Sequence, residues 1–225
     1  MRPFPCRGRG LLTAALLVAL AVPSAASATL PSTLQRVPAG HDQAITVTAV
    51  SGRSTTARYE VWQRSSSGWT RVMGPWTAHV GYNGIAAAGR KREGDGRTPS
   101  GVYGFAFAFG VHANPGTRLS WRPVSTSTLV WDDDPRSHRY NLWTDTRYAD
   151  AGRSPEPLRV TPAYDEAAVI AYNPTRKAGL GSAIFLHVST GRSTAGCVSV
   201  PAADLTGVLR WLQPSMRPVI SIGTS

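Results

Sequence analysis

The chain has 225 residues and a formal net charge of +11, with 24 lysines and arginines against 13 aspartates and glutamates. The basic residues are scattered apart from a short cluster at 90–92, so the charge pattern argues against a nucleic-acid-binding protein. The 22 glycines and 17 prolines break the chain at short intervals, which argues against a mostly helical fold and is typical of a β-rich domain.

The first residues of the chain indicate export. Arg2, Arg7 and Arg9 precede an apolar run over 11–22, and small residues follow at 26–28. This is the pattern of a secretory signal peptide, expected here over residues 1–28 with cleavage near Ala28. The run is too short for a transmembrane helix, which needs about 20 apolar residues. We therefore expect a secreted mature protein without a transmembrane segment.

After the signal peptide, residues 29–40 are interpreted as a flexible lead-in and residues 41–225 as one domain. Apolar and alternating segments predict strands in the first half of this domain. These strands cover residues 45–50, 58–64, 69–73, 77–81 and 101–107. The charged, glycine-rich loop at 89–99 is interpreted either as a solvated hairpin, since Asp95-Gly96 is a strong turn signal, or as a substrate-facing loop.

Residues 110–165 are polar and aromatic with many prolines, and are predicted to form loops and short strands that cover a cleft. Two strong strands are predicted over 167–172 and 183–189. A helix is predicted over 201–212, because its apolar residues recur at helical spacing, and a last strand over 218–223. The fold class is therefore mainly β, a sheet curled into a sandwich or barrel with one or two helices in the C-terminal half.

One cysteine carries most of the functional signal. Once the signal peptide is removed, Cys197 is the only cysteine of the sequence, and an unpaired cysteine in an exported protein is a candidate reactive thiol, although it can also serve as packing. His187 stands at the end of a predicted strand, where a turn could return Cys197 to it as a nucleophile with a paired base. Gly196 would let a substrate carbonyl approach backbone N–H donors, as in an oxyanion site.

Two sequence blocks resemble the L,D-transpeptidase catalytic domain, the family called YkuD. The block FLHVSTGRSTAGCVSVP at 185–201 resembles the segment in which a histidine at a strand end precedes a GC-containing turn. The block at 91–103 resembles the family's glycine-rich TP-x-G segment. Weaker similarities lie at 133–135, 140–141 and 172–173, and the likeness covers about residues 70 to 223.

The resemblance implies an enzyme at the cell wall that acts on the peptide stems of peptidoglycan without metal or cofactor. Cys197 would attack the carbonyl of a diamino-acid residue to give a thioester, with His187 as general base oriented by a backbone carbonyl. An amine of a second stem, or water, would then resolve the thioester. Anionic wall polymers are further candidate partners of this basic chain.

The resemblance also gives candidate substrate contacts and two departures. Arg97, Thr98, Tyr172 and Ser199 are expected to contact the substrate. The family pattern has a second histidine before the GC pair and an arginine or asparagine two residues after the cysteine, where this chain has Ala195 and Ser199. These departures leave open a catalytically inactive cell-wall-binding module of the same fold. A conventional cysteine protease is disfavoured, because no motif places an Asn or Asp partner.

Overall fold

The computed structural model describes Met1 and residues 30–225. The signal peptide predicted over residues 1–28 lies outside the described residues, except for Met1. The strands are β1 (Gln43–Ala49), β2 (Thr56–Ser65), β3 (Gly68–His79), β4 (Ile85–Ala86), β5 (Thr98–Pro99), β6 (Gly101–Gly110), β7 (Trp121–Pro123), β8 (Leu129–Asp132), β9 (Leu142–Asp145), β10 (Glu156–Pro157), β11 (Ala167–Ile170), β12 (Phe185–Val188), β13 (Val198–Val200) and β14 (Val219–Thr224). The helices are α1 (Ser32–Gln35) and α2 (Ala202–Trp211), and a 3-10 turn spans Pro214–Met216.

One large mixed sheet organises residues 30–225. Its strand order is β11-β12-β13-β3-β2-β1-β14-β6-β7. The sheet closes on itself because β6 has two partners, β14 along residues 101–104 and β11 along residues 105–109. The described residues are 38% strand and 9% helix, which confirms the predicted mainly β, curled fold. Within them, no helix is both long and apolar enough to cross a bilayer.

Helix α2 packs its apolar face against the main core of the closed sheet. Leu205, Val208, Leu209 and Leu212 are all fully buried in the main core, as their spacing predicts. Burial of each such side chain contributes roughly 1.5–3 kcal/mol. The helix spans Ala202–Trp211, one residue shorter at each end than predicted, and Leu212 leaves it in an extended conformation.

Two segments differ from the sequence prediction. The strands predicted at 69–73 and 77–81 form one strand, β3, whose pairing with β2 shifts register on either side of Val61. Gly74 lies in the middle of β3 with φ +81, and a Cβ there would come within 2.7 Å of the Tyr59 carbonyl oxygen. A glycine at this position therefore allows the strand to continue through an irregularity that would otherwise end it.

The segment predicted to be a lead-in at 29–40 is the second difference, because residues 32–37 pack against the sheet. Leu34 and Val37 are buried in a small cluster with Trp62 on the outer side of the sheet. The Ser32 hydroxyl donates to the Thr224 carbonyl at 3.0 Å. This segment is packed because the finished sheet offers it an apolar surface, which local sequence does not reveal.

The segment between β6 and β11 covers one outer face of the sheet. Strands β10, β8 and β9 form a small antiparallel sheet within it, in agreement with the short strands predicted for this segment. Under this cover lies an aromatic cluster in which the Phe185 ring is 5.2 Å from the rings of both Phe109 and Trp131. Cys197 belongs to this cluster, so the cover and the sheet face together enclose the cysteine.

Candidate active site

His187 on β12 and Cys197, the residue immediately before β13, lie on the same face of the sheet. Strands β12 and β13 are parallel, with Leu186 opposite Val198 and His187 opposite Ser199. Leu186 and Val198 point into the main core. Because side chains alternate along a strand, the neighbouring His187 and Cys197 point to the opposite face, towards the covering segment. The turn between the strands therefore places both side chains on one face, although the thiol's hydrogen-bond partners there are Ala183 and Phe185 rather than the imidazole.

Both side chains line one cavity of about 300 Å³. Its walls come from the loop after β4, the covering segment, the residues before β12 and the turn before β13. The lining residues are Lys91, Glu93, Gly94, Asp133, Glu156, Ala163, Tyr164, Ser182, Ala183, Ile184, His187, Thr190, Arg192, Ser193, Thr194, Ala195, Gly196 and Cys197. This cavity is the candidate active site.

The Cys197 thiol is buried and hydrogen-bonded to backbone. Its sulfur lies 3.3 Å from the Ala183 carbonyl oxygen, to which the thiol donates, and accepts the Phe185 N–H at 3.3 Å. Burial, followed by the negative charge of Glu156, raises the pKa of Cys197 to about 12, against the lowering effects of the Phe185 N–H and of Lys91. The sulfur is therefore a thiol at neutral pH until a base removes its proton.

The His187 ring is held in the form that a base needs. Nδ1 lies 2.9 Å from the Val188 carbonyl oxygen, and because a carbonyl only accepts, Nδ1 carries the proton and Nε2 keeps its lone pair. Burial lowers the pKa of His187, although the hydrogen bond to Val188 opposes this. The ring is therefore neutral at pH 7. The Tyr164 ring packs edge-on against it, with centroids 5.4 Å apart.

The turn that carries Cys197 is fixed from both sides. The Cys197 carbonyl accepts the hydroxyls of Thr98 at 3.2 Å and Thr194 at 2.7 Å. Gly196 has φ +153, and a Cβ there would come within 3.1 Å of the Arg97 carbonyl oxygen, so this position requires glycine. Its N–H donates to the Thr194 hydroxyl at 3.1 Å, and so is already engaged within the turn.

The four predicted substrate contacts lie outside the cavity. Arg97 lines a separate cavity of about 650 Å³. Thr98 is fully buried and also accepts the Gly81 N–H, so its contacts hold the turn. The Tyr172 hydroxyl donates to the Leu180 carbonyl at 2.6 Å. Ser199 is 1% exposed and its hydroxyl has no hydrogen-bond partner among the described residues.

Three carboxylates of the cavity were not assigned from the sequence. Glu156 accepts the Tyr164 hydroxyl at 2.7 Å, and burial raises the pKa of its carboxyl group. Burial and the charges of Glu93 and Glu156 raise the pKa of Asp133 to about 6. Glu93 accepts the Ser182 hydroxyl at 2.7 Å. Asp133 and Glu93 lie in segments that carry the family resemblance, which is the signal that could have pointed to them.

Asn141, part of the weak similarity at 140–141, supports the thiol indirectly. Its Oδ1 accepts the Ala183 N–H at 3.2 Å and the Trp131 indole N–H at 2.9 Å. Ala183 has φ +51, a left-handed conformation that is uncommon for alanine. Asn141 therefore holds the residue whose carbonyl accepts the Cys197 thiol.

Comparison with known proteins identifies the family. The model of the L,D-transpeptidase catalytic domain, YkuD, matches residues 54–220, and no curated protein matches the sequence. Among solved structures, the chain is similar to the helical cell shape determining protein Pgp2 from Campylobacter jejuni, with 11% identity and a TM-score of 0.44 over 82% of this chain and 48% of that one. The chain thus spans about half of that protein's length. By its match over most of the described domain, this chain belongs to the YkuD family of L,D-transpeptidase catalytic domains.

Proposed function

We propose that this protein is a secreted cysteine L,D-transpeptidase, or a related peptidase, that acts on the peptide stems of peptidoglycan through a thioester on Cys197. Membership of the YkuD family supports an L,D-transpeptidase-like function related to peptidoglycan. The observation that carries the proposal is that Cys197, in the turn directly before β13, and a neutral His187 on β12, protonated at Nδ1, line one cavity.

In the proposed reaction, His187 acts as the base and then as the acid. Nε2 takes the proton of the Cys197 thiol while the sulfur attacks the substrate carbonyl carbon. The bond from that carbon to the leaving amine breaks, the amine takes the proton from the imidazolium, and a thioester remains. An acceptor amine or water then attacks the thioester, giving its proton to Nε2. The sulfur leaves and recovers a proton from His187.

The ground-state contacts imply that substrate binding starts this reaction. The pKa of Cys197 is raised to about 12 and that of His187 is lowered, so proton transfer from sulfur to imidazole is unfavourable in the free protein. The thiol must also release the Ala183 carbonyl before it can turn towards Nε2. Donors aimed at the charge that develops during attack would offset this cost.

The charge of the cavity supports a substrate that carries an amine. Glu93, Asp133 and Glu156 line the same cavity as the thiol and outnumber its two basic residues, Lys91 and the exposed Arg192. Carboxylates in a partly enclosed site favour a cationic substituent. The free amine of a diamino-acid residue, or the amine of an acceptor stem, has the complementary charge.

A catalytically inactive cell-wall-binding module is the second candidate. The raised pKa of Cys197 and the backbone partners of its sulfur favour this alternative, as does the presence of Ala195 where the family pattern has a second histidine. In such a module the cavity would hold a peptide stem without forming a thioester.

Product analysis separates the two candidates. Muropeptides with tetrapeptide stems are incubated with the processed protein and with Cys197→Ala and His187→Ala, and the products are resolved by liquid chromatography and mass spectrometry. Cross-linked dimers or shortened stems that require both residues would support the enzyme. Unchanged muropeptides with the folded wild-type protein, together with measurable binding, would favour the binding module.

A further inference from the structure

A buried lysine lies in the wall of the candidate active site. Lys91 is 4% exposed and lines the cavity with Cys197. Its Nζ donates to the Asp95 carboxylate at 2.5 Å and to the Arg92 carbonyl at 2.8 Å. An ammonium group has three N–H donors, and the hydrogen bonds of the described residues use two of them. The third donor has no partner among the described residues.

The ammonium lies beside the turn that carries the cysteine. Nζ is 3.7 Å from the position that a Cβ of Gly196 would take, and Gly196 immediately precedes Cys197. The positive charge of Lys91 lowers the pKa of Cys197, against the raising effects of burial and of Glu156. The position of the ammonium and its effect on the pKa of Cys197 therefore both favour a thiolate at this residue.

The other charged or titratable groups around the thiol are mostly acidic or uncharged. Glu93 comes from the same loop as Lys91, and Asp133 and Glu156 from the covering segment. His187 on β12 and Tyr164 next to it are neutral at pH 7, because burial lowers the pKa of His187 and raises that of Tyr164. Arg192 also lines the cavity, but its side chain is exposed to solvent, where its charge is screened.

Asp95 keeps the lysine in place. Its carboxylate accepts Lys91 Nζ and the backbone N–H groups of Arg92 at 2.7 Å and Arg97 at 2.9 Å. Although burial opposes it, these hydrogen bonds lower the pKa of Asp95. The carboxylate is therefore ionised at neutral pH and holds the ammonium in its charged form.

We propose that Lys91 is the electrostatic partner of Cys197, and that its ammonium stabilises the thiolate formed when His187 takes the thiol proton. This inference rests on the proposed role of Cys197 as the nucleophile. The proton moves from sulfur to Nε2, Lys91 keeps all three of its protons, and no bond to Lys91 forms or breaks. Lys91 is thus a positioning residue: its positive charge acts on the Cys197 sulfur and does not itself react.

The test is the pH dependence of Cys197 alkylation in the full chain. Iodoacetamide reacts with the thiolate, and the extent of alkylation is read on the tryptic peptide 193–210, which contains Cys197 and no other cysteine. Lys91→Gln removes the charge and keeps a donor for Asp95, while Lys91→Arg keeps the charge. Lys177→Gln is the matched control, because Lys177 is exposed and outside the cavity.

We expect Lys91→Gln to react roughly tenfold more slowly at a fixed pH below the titration midpoint, which corresponds to a tenfold smaller thiolate fraction. Lys91→Arg and Lys177→Gln should keep the wild-type profile within about threefold, a difference of less than half a pH unit. Thermal unfolding confirms that each variant is folded, and Lys91→Met replaces Lys91→Gln if glutamine prevents folding.

Three results would overturn the inference. The first is that the pH profiles of alkylation of Lys91→Gln and the wild type coincide. The second is that Lys91→Arg shifts the profile as far as Lys91→Gln does. The third is that native Cys197 is not alkylated at any pH. Because the assay contains no peptidoglycan, its outcome can be told apart from that of the muropeptide assay. A displaced profile together with unchanged muropeptides would show that Lys91 stabilises the Cys197 thiolate while refuting the enzyme.

Discussion

Thr98 offers a quantitative test of how the cysteine turn is held. Its hydroxyl accepts the buried Gly81 N–H at 2.8 Å and donates to the Cys197 carbonyl at 3.2 Å. Thr98→Val keeps the shape of the side chain and removes both hydrogen bonds. The Gly81 N–H then loses its acceptor at a cost of about 1–3 kcal/mol. The Cys197 carbonyl still accepts the Thr194 hydroxyl, so losing its hydrogen bond from Thr98 costs only about 0.5–1.5 kcal/mol.

Together these losses lower the free energy of unfolding by about 1.5–4.5 kcal/mol. For a chain of this length, each 1 kcal/mol lowers Tm by about 2–4 °C, so we expect Tm to fall by roughly 3–18 °C. The assay is differential scanning calorimetry beside urea unfolding. Thr98→Ser is the control, because it keeps the hydroxyl and loses one methyl group, worth roughly 0.8 kcal/mol. Equal Tm values for Thr98→Val and Thr98→Ser would refute the assignment of the hydroxyl.

Three further predictions concern charge and packing. Glu156→Gln removes a charge that raises the pKa of Cys197, so iodoacetamide should alkylate the cysteine faster at a given pH; an unchanged rate would contradict this. Asp133 has its pKa raised to about 6, so its ionisation opposes folding as pH rises from about 4 through 6, and Asp133→Asn should raise Tm at pH 8 but not at pH 4. Leu209 is fully buried, and Leu209→Ala should lower the free energy of unfolding by about 2–5 kcal/mol in urea, whereas a loss below 1 kcal/mol would contradict its place in the core.

The parts of the fold that the sequence predicted are those set by local periodicity. The spacing of Leu205, Val208, Leu209 and Leu212 identifies α2, because a helix buries one face. The apolar run at 183–189 predicts a strand that contains β12, and the alternation of side chains along a strand then places His187 on the face opposite Leu186. A short turn then brings Cys197 back beside the same strand, so the pair could be predicted from neighbouring residues.

The rest depends on contacts between distant segments. Arg97 and Thr98 are adjacent in sequence, yet Arg97 lines another cavity and Thr98 is buried behind the cysteine turn. A shift of one residue in an extended segment changes the face on which a side chain lies, and a loop sequence does not fix that register. Glu156 reaches the cavity only because the covering segment folds over the sheet. The burial of α1 likewise requires the finished sheet.

The most direct test of the account is whether a thioester forms on Cys197. The processed protein is incubated with muropeptide tetrapeptides or a carbapenem, quenched in acid and analysed by intact mass and by the tryptic peptide 193–210. The account predicts an adduct on that peptide that is absent in Cys197→Ala and strongly reduced in His187→Ala. A folded wild-type protein that acquires no adduct from either reagent, or an adduct of equal yield in Cys197→Ala, would contradict the role of Cys197 as nucleophile.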